Sequence, residues 1–87
     1  MIKVILADDE PKVCHLISQL ADWERFDMQL VGEAHNGIAA MALIEQLRPD
    51  LVISDIKMPG YDGLMLLKAA RTLMPEIEFV IISGYRQ

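Results

Sequence analysis

The stretch LVISDIKMPGYDG, residues 51–63, decides the fold. It opens with a short run of Leu, Val and Ile, which is typical of a strand buried on both faces of a parallel sheet with helices on either side. Pro59 and Gly60 mark the segment that follows as a loop. The stretch therefore predicts a buried parallel strand that ends at Ser54 and is followed directly by a carboxylate, Asp55.

Outward from this stretch, short apolar runs alternate with segments of helical period. Strands are predicted at residues 2–7, 28–34, 51–54 and 78–83. The first helix begins at Pro11, the second is capped by Asn36 and runs to about Leu47, and the third is capped by Asp62. This order predicts a doubly wound α/β domain with right-handed crossovers, in which reactive groups lie beyond the carboxyl ends of the strands.

Each helix carries apolar residues at the spacing of one helical face, and we expect that face to be buried. These residues are Val13, Leu16, Ile17 and Leu20 in the first helix, Ala40, Leu43, Ile44 and Leu47 in the second, and Leu66, Ala69, Ala70 and Leu73 in the third. Cys14 lies beside the first stripe and is expected to be a partly buried structural thiol. His15 is expected on the surface, and His35 in a loop near the carboxyl ends of the strands.

The composition of these 87 residues narrows the classes of function. At 53% hydrophobic residues the chain is too apolar for disorder. Its net charge is −5 and no basic patch is visible, which disfavours nucleic-acid binding by this segment because phosphate contacts need clustered Lys and Arg. The single cysteine excludes an intrachain disulfide and suits a reducing compartment. Without a signal peptide or a membrane-length apolar run, we expect a cytoplasmic location and no contact with a membrane.

Polar side chains lie at the carboxyl ends of three of the predicted strands. Asp8 and Asp9 follow the first strand, Asp55 follows the third, and Ser83 is the last residue of the fourth. If these strands are neighbours, their carboxyl ends converge. Two carboxylates about 4 Å apart repel by roughly 4 kcal/mol at an effective dielectric constant of 20. A hard cation such as Mg²⁺ offsets this repulsion, and a carboxylate beside it can attack phosphorus to form an acyl phosphate.

A competing interpretation is that these aspartates cap the helices that follow them, because Asp is a favoured N-cap residue. Asp8 or Asp9 before Pro11 fits that role well. Asp55 fits it poorly, since a Pro-Gly loop and no helix comes directly after it.

The quoted stretch, together with ILADDE at residues 5–10 and VIISGY at residues 80–85, resembles the receiver domain of a bacterial two-component response regulator. The resemblance covers essentially the whole chain and implies a flavodoxin-like sheet with strand order 2-1-3-4. VGEA at residues 31–34 and ISGY at residues 82–85 further resemble the AraC/YesN-like subgroup. In that subgroup DNA is bound by an output domain, which these 87 residues do not contain.

The resemblance implies a role for each polar residue at the strand ends. Asp55 would accept the phosphoryl group from a sensor histidine kinase. Asp9 and Asp55 would ligate Mg²⁺ directly, Asp8 would do so through water, and Lys57 would contribute its backbone carbonyl. Ser83 would be the hydroxyl that responds to phosphorylation. The chain would be a signalling switch and not an ordinary enzyme.

Family members run to roughly 120 residues, within the usual size of a domain. By that measure residues 1–87 form a receiver domain truncated after the fourth strand. The fifth strand, its lysine and the last two helices would be missing. An exposed apolar fourth strand would then favour a homodimer or a segment-swapped oligomer.

Two alternatives remain open. One is a truncated receiver that cannot be phosphorylated and acts only as an interaction unit. The other is a phosphatase with an aspartyl-phosphate intermediate. That chemistry usually places a second acid two residues after the nucleophile, where this chain has Lys57.

Overall fold

The computed structural model describes residues 1–82, and strands and helices alternate along them. The elements are β1 (Ile2–Ala7), α1 (Pro11–Leu20), a short 3-10 helix (Glu24–Phe26), β2 (Met28–Ala34), α2 (Gly37–Leu47), β3 (Leu51–Asp55), α3 (Gly63–Leu73) and β4 (Glu78–Ile82). All four strands and all three α-helices occur where the sequence predicts them, but β3 includes Asp55, one residue beyond its predicted end, and the predicted end of β4 at Ser83 lies outside the described residues. The 3-10 helix was not predicted.

The four strands form one sheet in the order β2-β1-β3-β4, and every neighbouring pair is parallel. This confirms the predicted flavodoxin-like order. The register places Ala7 of β1 beside Ser54 of β3, so that the residues that follow these two positions leave the sheet side by side. In β2, Val31 is an extra residue that interrupts the pairing with β1 between Val4 and Ile5.

The helices α2 and α3 cover one face of the sheet, and the hydrophobic core lies between them and the strands. That core comprises Ile5, Ala7, Ala34, Ala40, Ile44, Val52, Met58, Leu66, Ala70 and Ile77. Both predicted helix caps are present, since the side chains of Asn36 and Asp62 accept hydrogen bonds from the backbone N–H groups of Ala39 and Met65 at 2.7 and 2.8 Å. The stripes predicted for α2 and α3 face this core, except for Ala69, which is half-buried outside it.

The stripe predicted for α1 is wrong in its orientation. Cys14 is fully buried, while Leu16 and Leu20 are 56% and 75% exposed. The apolar surface of α1 is wider than one stripe. The sheet covers the part that contains Cys14, and Val13 and Ile17 are half-buried beside it. Spacing identifies an apolar helical face but does not show which part of it meets the sheet.

The face of the sheet that α1 packs on is only partly covered. Side chains alternate between faces along a strand. Because Ile5 points to α2 and α3, Leu6 points to α1, and its neighbours across the sheet, Ile53 and Val80, do the same. Leu6 is buried, whereas Val80 is 47% exposed. None of the helices within residues 1–82 has the length and apolar character that a bilayer span requires.

Candidate functional site

Three carboxylates meet at the carboxyl ends of β1 and β3. Asp8 and Asp9 directly follow β1, and Asp55 is the last residue of β3. One oxygen atom from each of the three side chains lies within 4.8 Å of the other two. The pairing of β1 with β3 explains this proximity, because the carboxyl ends of adjacent parallel strands lie at the same edge of a sheet.

The three acids differ in their exposure to water. Asp8 and Asp55 are each 6% exposed, whereas Asp9 is exposed. The backbone N–H of Glu10 donates a hydrogen bond of 2.9 Å to Oδ1 of Asp8. Placing two carboxylates out of water beside a third is costly unless positive charge offsets it. The arrangement therefore favours a bound cation.

Neither Asp8 nor Asp9 is the N-cap residue of α1. The residue at the N-cap position of α1 is Glu10, and Pro11 is the first helical residue. Asp8 instead stays at the end of the sheet, where its backbone N–H donates a hydrogen bond of 3.0 Å to the carbonyl of Ala34 in β2. The competing interpretation, in which Asp8 or Asp9 occupies the N-cap position, is therefore wrong for that position, although Asp8 does accept a hydrogen bond from the N–H of Glu10.

The backbone of Asp55 is held tightly at the start of the loop. The buried hydroxyl of Ser54 donates a 2.8 Å hydrogen bond to the carbonyl oxygen of Asp55. A Cβ atom at Gly63 would lie 2.5 Å from that same oxygen, so only glycine fits there. The N–H of Gly63 also donates to the carbonyl of Ile56 at 2.7 Å. These contacts fix the position of Asp55 against the beginning of α3.

Two glycines shape the loop between β3 and α3, one within it and one that packs against it. Gly60 has a φ of +81°, a left-handed conformation that favours glycine. Gly37, at the start of α2, leaves room for Tyr61, because a Cβ at Gly37 would collide with the Cβ and the backbone of Tyr61. Lys57 lies in this loop with an exposed side chain, and Met58 beside it is part of the core.

Two residues that support the site, Ser54 and Gly37, were not predicted from the sequence. A polar Ser54 inside a buried apolar strand was the available signal for the first. Nothing local distinguishes Gly37, since its role depends on Tyr61, 24 residues later in the chain. The predicted switch residue, Ser83, lies outside the described residues.

The donor set of the acidic site fits Mg²⁺. All three side chains offer carboxylate oxygens, which are the ligands that hard divalent cations prefer. The exposed side chain of Asp9 leaves one side of the cluster open to water, and Mg²⁺ usually retains several water ligands.

Comparison with known proteins identifies the family. Residues 4–87 match the response regulator receiver domain, and the chain belongs to this family. It is 39% identical over 85 residues to the uncharacterized transcriptional regulatory protein YesN of Bacillus subtilis, a match that covers 98% of this chain and 23% of YesN. The predicted resemblance to the AraC/YesN-like subgroup is thereby confirmed.

Two solved structures support this assignment. The REC domain of the response regulator AraT from Geobacillus stearothermophilus is 39% identical, with a TM-score of 0.92 over 97% of this chain and 65% of that one. The isolated REC domain of RcsB from Salmonella enterica serovar Typhimurium, solved in the presence of the phosphomimetic BeF3−, is 26% identical. Its TM-score is 0.77 over 99% of this chain and 64% of that one.

These comparisons place the chain in two-component signalling. The chain spans about a quarter of YesN and about two thirds of the AraT domain. Receiver domains are mostly signalling switches and not enzymes, they interact with histidine kinases, and they generally bind Mg²⁺ at an acidic pocket.

Proposed function

We propose that this chain is a phosphoryl-accepting switch in which Asp55 takes a phosphoryl group from a sensor histidine kinase. The observation that carries the proposal is the position of Asp55 at the end of β3, nearly buried, with a carboxylate oxygen within 4.8 Å of oxygens of Asp8 and Asp9. The loop glycines and Ser54 hold its backbone in place. Such fixed positioning is what in-line phosphoryl transfer requires.

In this proposal each side chain has a defined task. A carboxylate oxygen of Asp55 attacks phosphorus, a P–O bond forms, and the P–N bond to the kinase histidine breaks. Asp9 and Asp55 would hold Mg²⁺, together with the carbonyl oxygen of Lys57, and Asp8 would hold it through water. When bound, Mg²⁺ offsets the negative charge of the acids and of the phosphoryl oxygens.

Phosphorylation changes the charge at the carboxyl edge of the sheet. The product carries about −1.5 to −2 charges at pH 7 if it behaves like other phosphorylated side chains. We assign the response to Ser83, whose hydroxyl would hydrogen-bond to the new phosphoryl oxygens. A tenfold change in the population of two conformations requires only about 1.4 kcal/mol.

The output of the switch would lie elsewhere in a longer protein. YesN, of which this chain matches about a quarter, is a transcriptional regulatory protein. We propose DNA binding by an AraC-type output domain, because the net charge of −5 disfavours DNA binding by this segment itself. A histidine kinase and DNA as partners imply a cytoplasmic location.

Acetyl phosphate with Mg²⁺ tests the proposal directly on the purified chain. Intact mass spectrometry should show a gain of one phosphoryl group, and Asp55→Asn should abolish it. The matched control is Asp22→Asn, which changes an exposed aspartate outside the acidic cluster and should keep the gain. Equal labelling of Asp55→Asn would contradict the assignment of Asp55.

A second candidate function is that of an interaction unit, and the exposed apolar side chains of α1 and β4 favour it. Val80 is 47% exposed on β4, which is an edge strand of the described sheet. A second copy of the 87-residue chain could cover this surface through the β4 edge. Sedimentation should then show a homodimer, and a monomer at high concentration would exclude it. No mass gain with acetyl phosphate would leave assembly as the function of this chain.

A further inference from the structure

A second group of potential metal ligands lies next to the acidic site. It consists of Cys14 on α1, Glu33 near the end of β2, and His35 just after β2. One ligand atom from each side chain lies within 4.8 Å of the other two. None of these three residues belongs to the acidic cluster.

The fold brings these three residues together on one face of the sheet. Glu33 and His35 are two residues apart, so their side chains point to the same side, while Ala34 between them points into the core below α2. The opposite side is the one that α1 packs on, and Cys14 is the buried residue of that helix. A thiol on the helix therefore faces a carboxylate and an imidazole at the end of the strand.

The group has one closed side and one open side. Cys14 is buried, whereas the side chains of Glu33 and His35 are 35% and 45% exposed. Nε2 of His35 and Oε2 of Glu33 are 3.9 Å apart. Two of the three donors are therefore accessible from solvent, and the buried thiol is the inner donor.

The chemistry of the donors selects the class of ion. A thiol, an imidazole and a carboxylate together match the ligands of Zn²⁺, which commonly takes three protein ligands and one water. Mg²⁺ prefers oxygen ligands alone and suits the acidic cluster instead. We propose that Cys14, Glu33 and His35 form a binding site for a thiophilic divalent cation of the Zn²⁺ class.

Binding would convert the Cys14 thiol to a thiolate and release its proton to water, as is general for metal-bound cysteine. In the structure that thiol donates a weak hydrogen bond to the carbonyl oxygen of Asp8 at 3.9 Å. The alternative interpretation is a core cysteine beside a surface Glu-His pair. That alternative predicts weak binding that does not involve sulfur.

Cobalt(II) distinguishes the two interpretations because a cobalt-thiolate bond gives a charge-transfer band in the near ultraviolet. The titration uses the full 87-residue chain, reduced, in excess Mg²⁺ to fill the acidic site. The proposal predicts a band that saturates at one ion per chain and is displaced by Zn²⁺. Absence of the band would overturn the proposal.

Variants assign the ligands. Cys14→Ser should abolish the band, while Glu33→Gln and His35→Gln should each weaken Co²⁺ binding about tenfold or more, by analogy with other metal sites. Glu33 and His35 are partly exposed, so their variants remain informative if Cys14→Ser fails to fold. His15→Gln is the control, because His15 is exposed on α1 and outside the group. Unchanged affinity in both Glu33→Gln and His35→Gln, or an equal loss in His15→Gln, would overturn the proposal.

This proposal is independent of the phosphoacceptor role. Asp55→Asn should leave the cobalt band intact, since Asp55 is not among the three proposed ligands. Failure of phosphoryl uptake and failure of cobalt binding are therefore separate results.

Discussion

On one face of the sheet, Ile44 of α2 and Leu66 of α3 are completely buried. On the side of α1, Leu20 of that helix and Val80 of β4 are exposed. The acidic site lies at the carboxyl ends of β1 and β3, between these two faces. The covered face supplies the packing that holds Asp55 in place, through the loop and the start of α3. The open face contributes less packing and offers a surface for another molecule. We therefore expect the face covered by α2 and α3 to contribute most of the stability, and the face of α1 to be the one that contacts another molecule.

The largest expected effect is on the free energy of unfolding, which should respond differently to substitutions on the two faces. Leu66→Ala should lower the free energy of unfolding by about 2–5 kcal/mol, because it removes a fully buried side chain from the core. Leu20 on α1 is 75% exposed, so Leu20→Ala should change the free energy of unfolding by no more than about 0.5 kcal/mol. Urea unfolding measures both values.

Ile44→Val extends this test if Leu66→Ala does not fold, with an expected loss of about 0.5–1.5 kcal/mol. Similar losses in Leu20→Ala and in the core variants would show that the two faces contribute equally.

The next effect concerns the thiol beneath α1. Burial raises the pKa of Cys14 from 9.0 to about 11, and the negative charges of Glu33 and Asp8 add to the increase. The folded protein therefore holds this proton more tightly than the unfolded chain. The resulting stability is fully present below pH 9 and is lost as the pH rises towards 11. The loss should appear as a fall in the free energy of unfolding between about pH 9 and pH 11.

Urea unfolding at several pH values between 8 and 11 measures this slope. Cys14→Ser should reduce it, whatever its effect on stability at neutral pH, and Glu33→Gln should reduce it less. An unchanged slope in Cys14→Ser would assign the alkaline loss of stability to other groups.

A smaller effect tests how the covered face supports the acidic site. Gly63→Ala places a Cβ within 2.5 Å of the carbonyl oxygen of Asp55, so it should cost about 1–3 kcal/mol and slow phosphoryl uptake. Gly32→Ala is the matched control, because its Cβ would meet the flexible ends of Leu43 and Leu47 at 3.3 Å and Ile5 at an ordinary contact distance of 3.8 Å. Equal uptake rates in the two variants would remove Gly63 from the support of Asp55.

The smallest effect concerns the open face. Val80→Ser should raise the dissociation constant of the proposed homodimer about tenfold, equivalent to about 1.4 kcal/mol. Leu64→Ser is the control, since Leu64 is similarly exposed but lies on α3, on the other side of the sheet. Sedimentation velocity over a range of concentrations measures both. A larger effect from Leu64→Ser would assign the interface to the covered face.

Local chemistry made most of this fold predictable. Continuous apolar runs such as Leu51–Ile53 marked the strands, and Asn36 and Asp62 occupy the helix caps that their side chains predicted. The convergence of Asp8 and Asp55 followed from the rule that reactive groups gather at the carboxyl ends of parallel strands. In each case the structural role depends on residues close by in the sequence or on the handedness of the crossovers.

The features that were not predicted depend on distant contacts. The orientation of α1 depends on which part of its apolar surface meets the sheet, which the spacing of apolar residues does not reveal. Gly37 is fixed by Tyr61, which belongs to another element. Cys14 was expected to be structural, but its proximity to Glu33 and His35 depends on how α1 lies on β2. The roles that the family resemblance implies for Lys57 and Ser83 remain proposals.

The most direct test of the central claim is chemical mapping of the phosphorylated residue. After treatment with acetyl phosphate and Mg²⁺, borohydride reduction converts an aspartyl phosphate to homoserine, which peptide mass spectrometry locates in the sequence. We predict homoserine at position 55, and none when Mg²⁺ is removed by a chelator. Homoserine at Asp8, Asp9 or another aspartate, with position 55 unmodified, would contradict the assignment of Asp55 as the phosphoacceptor.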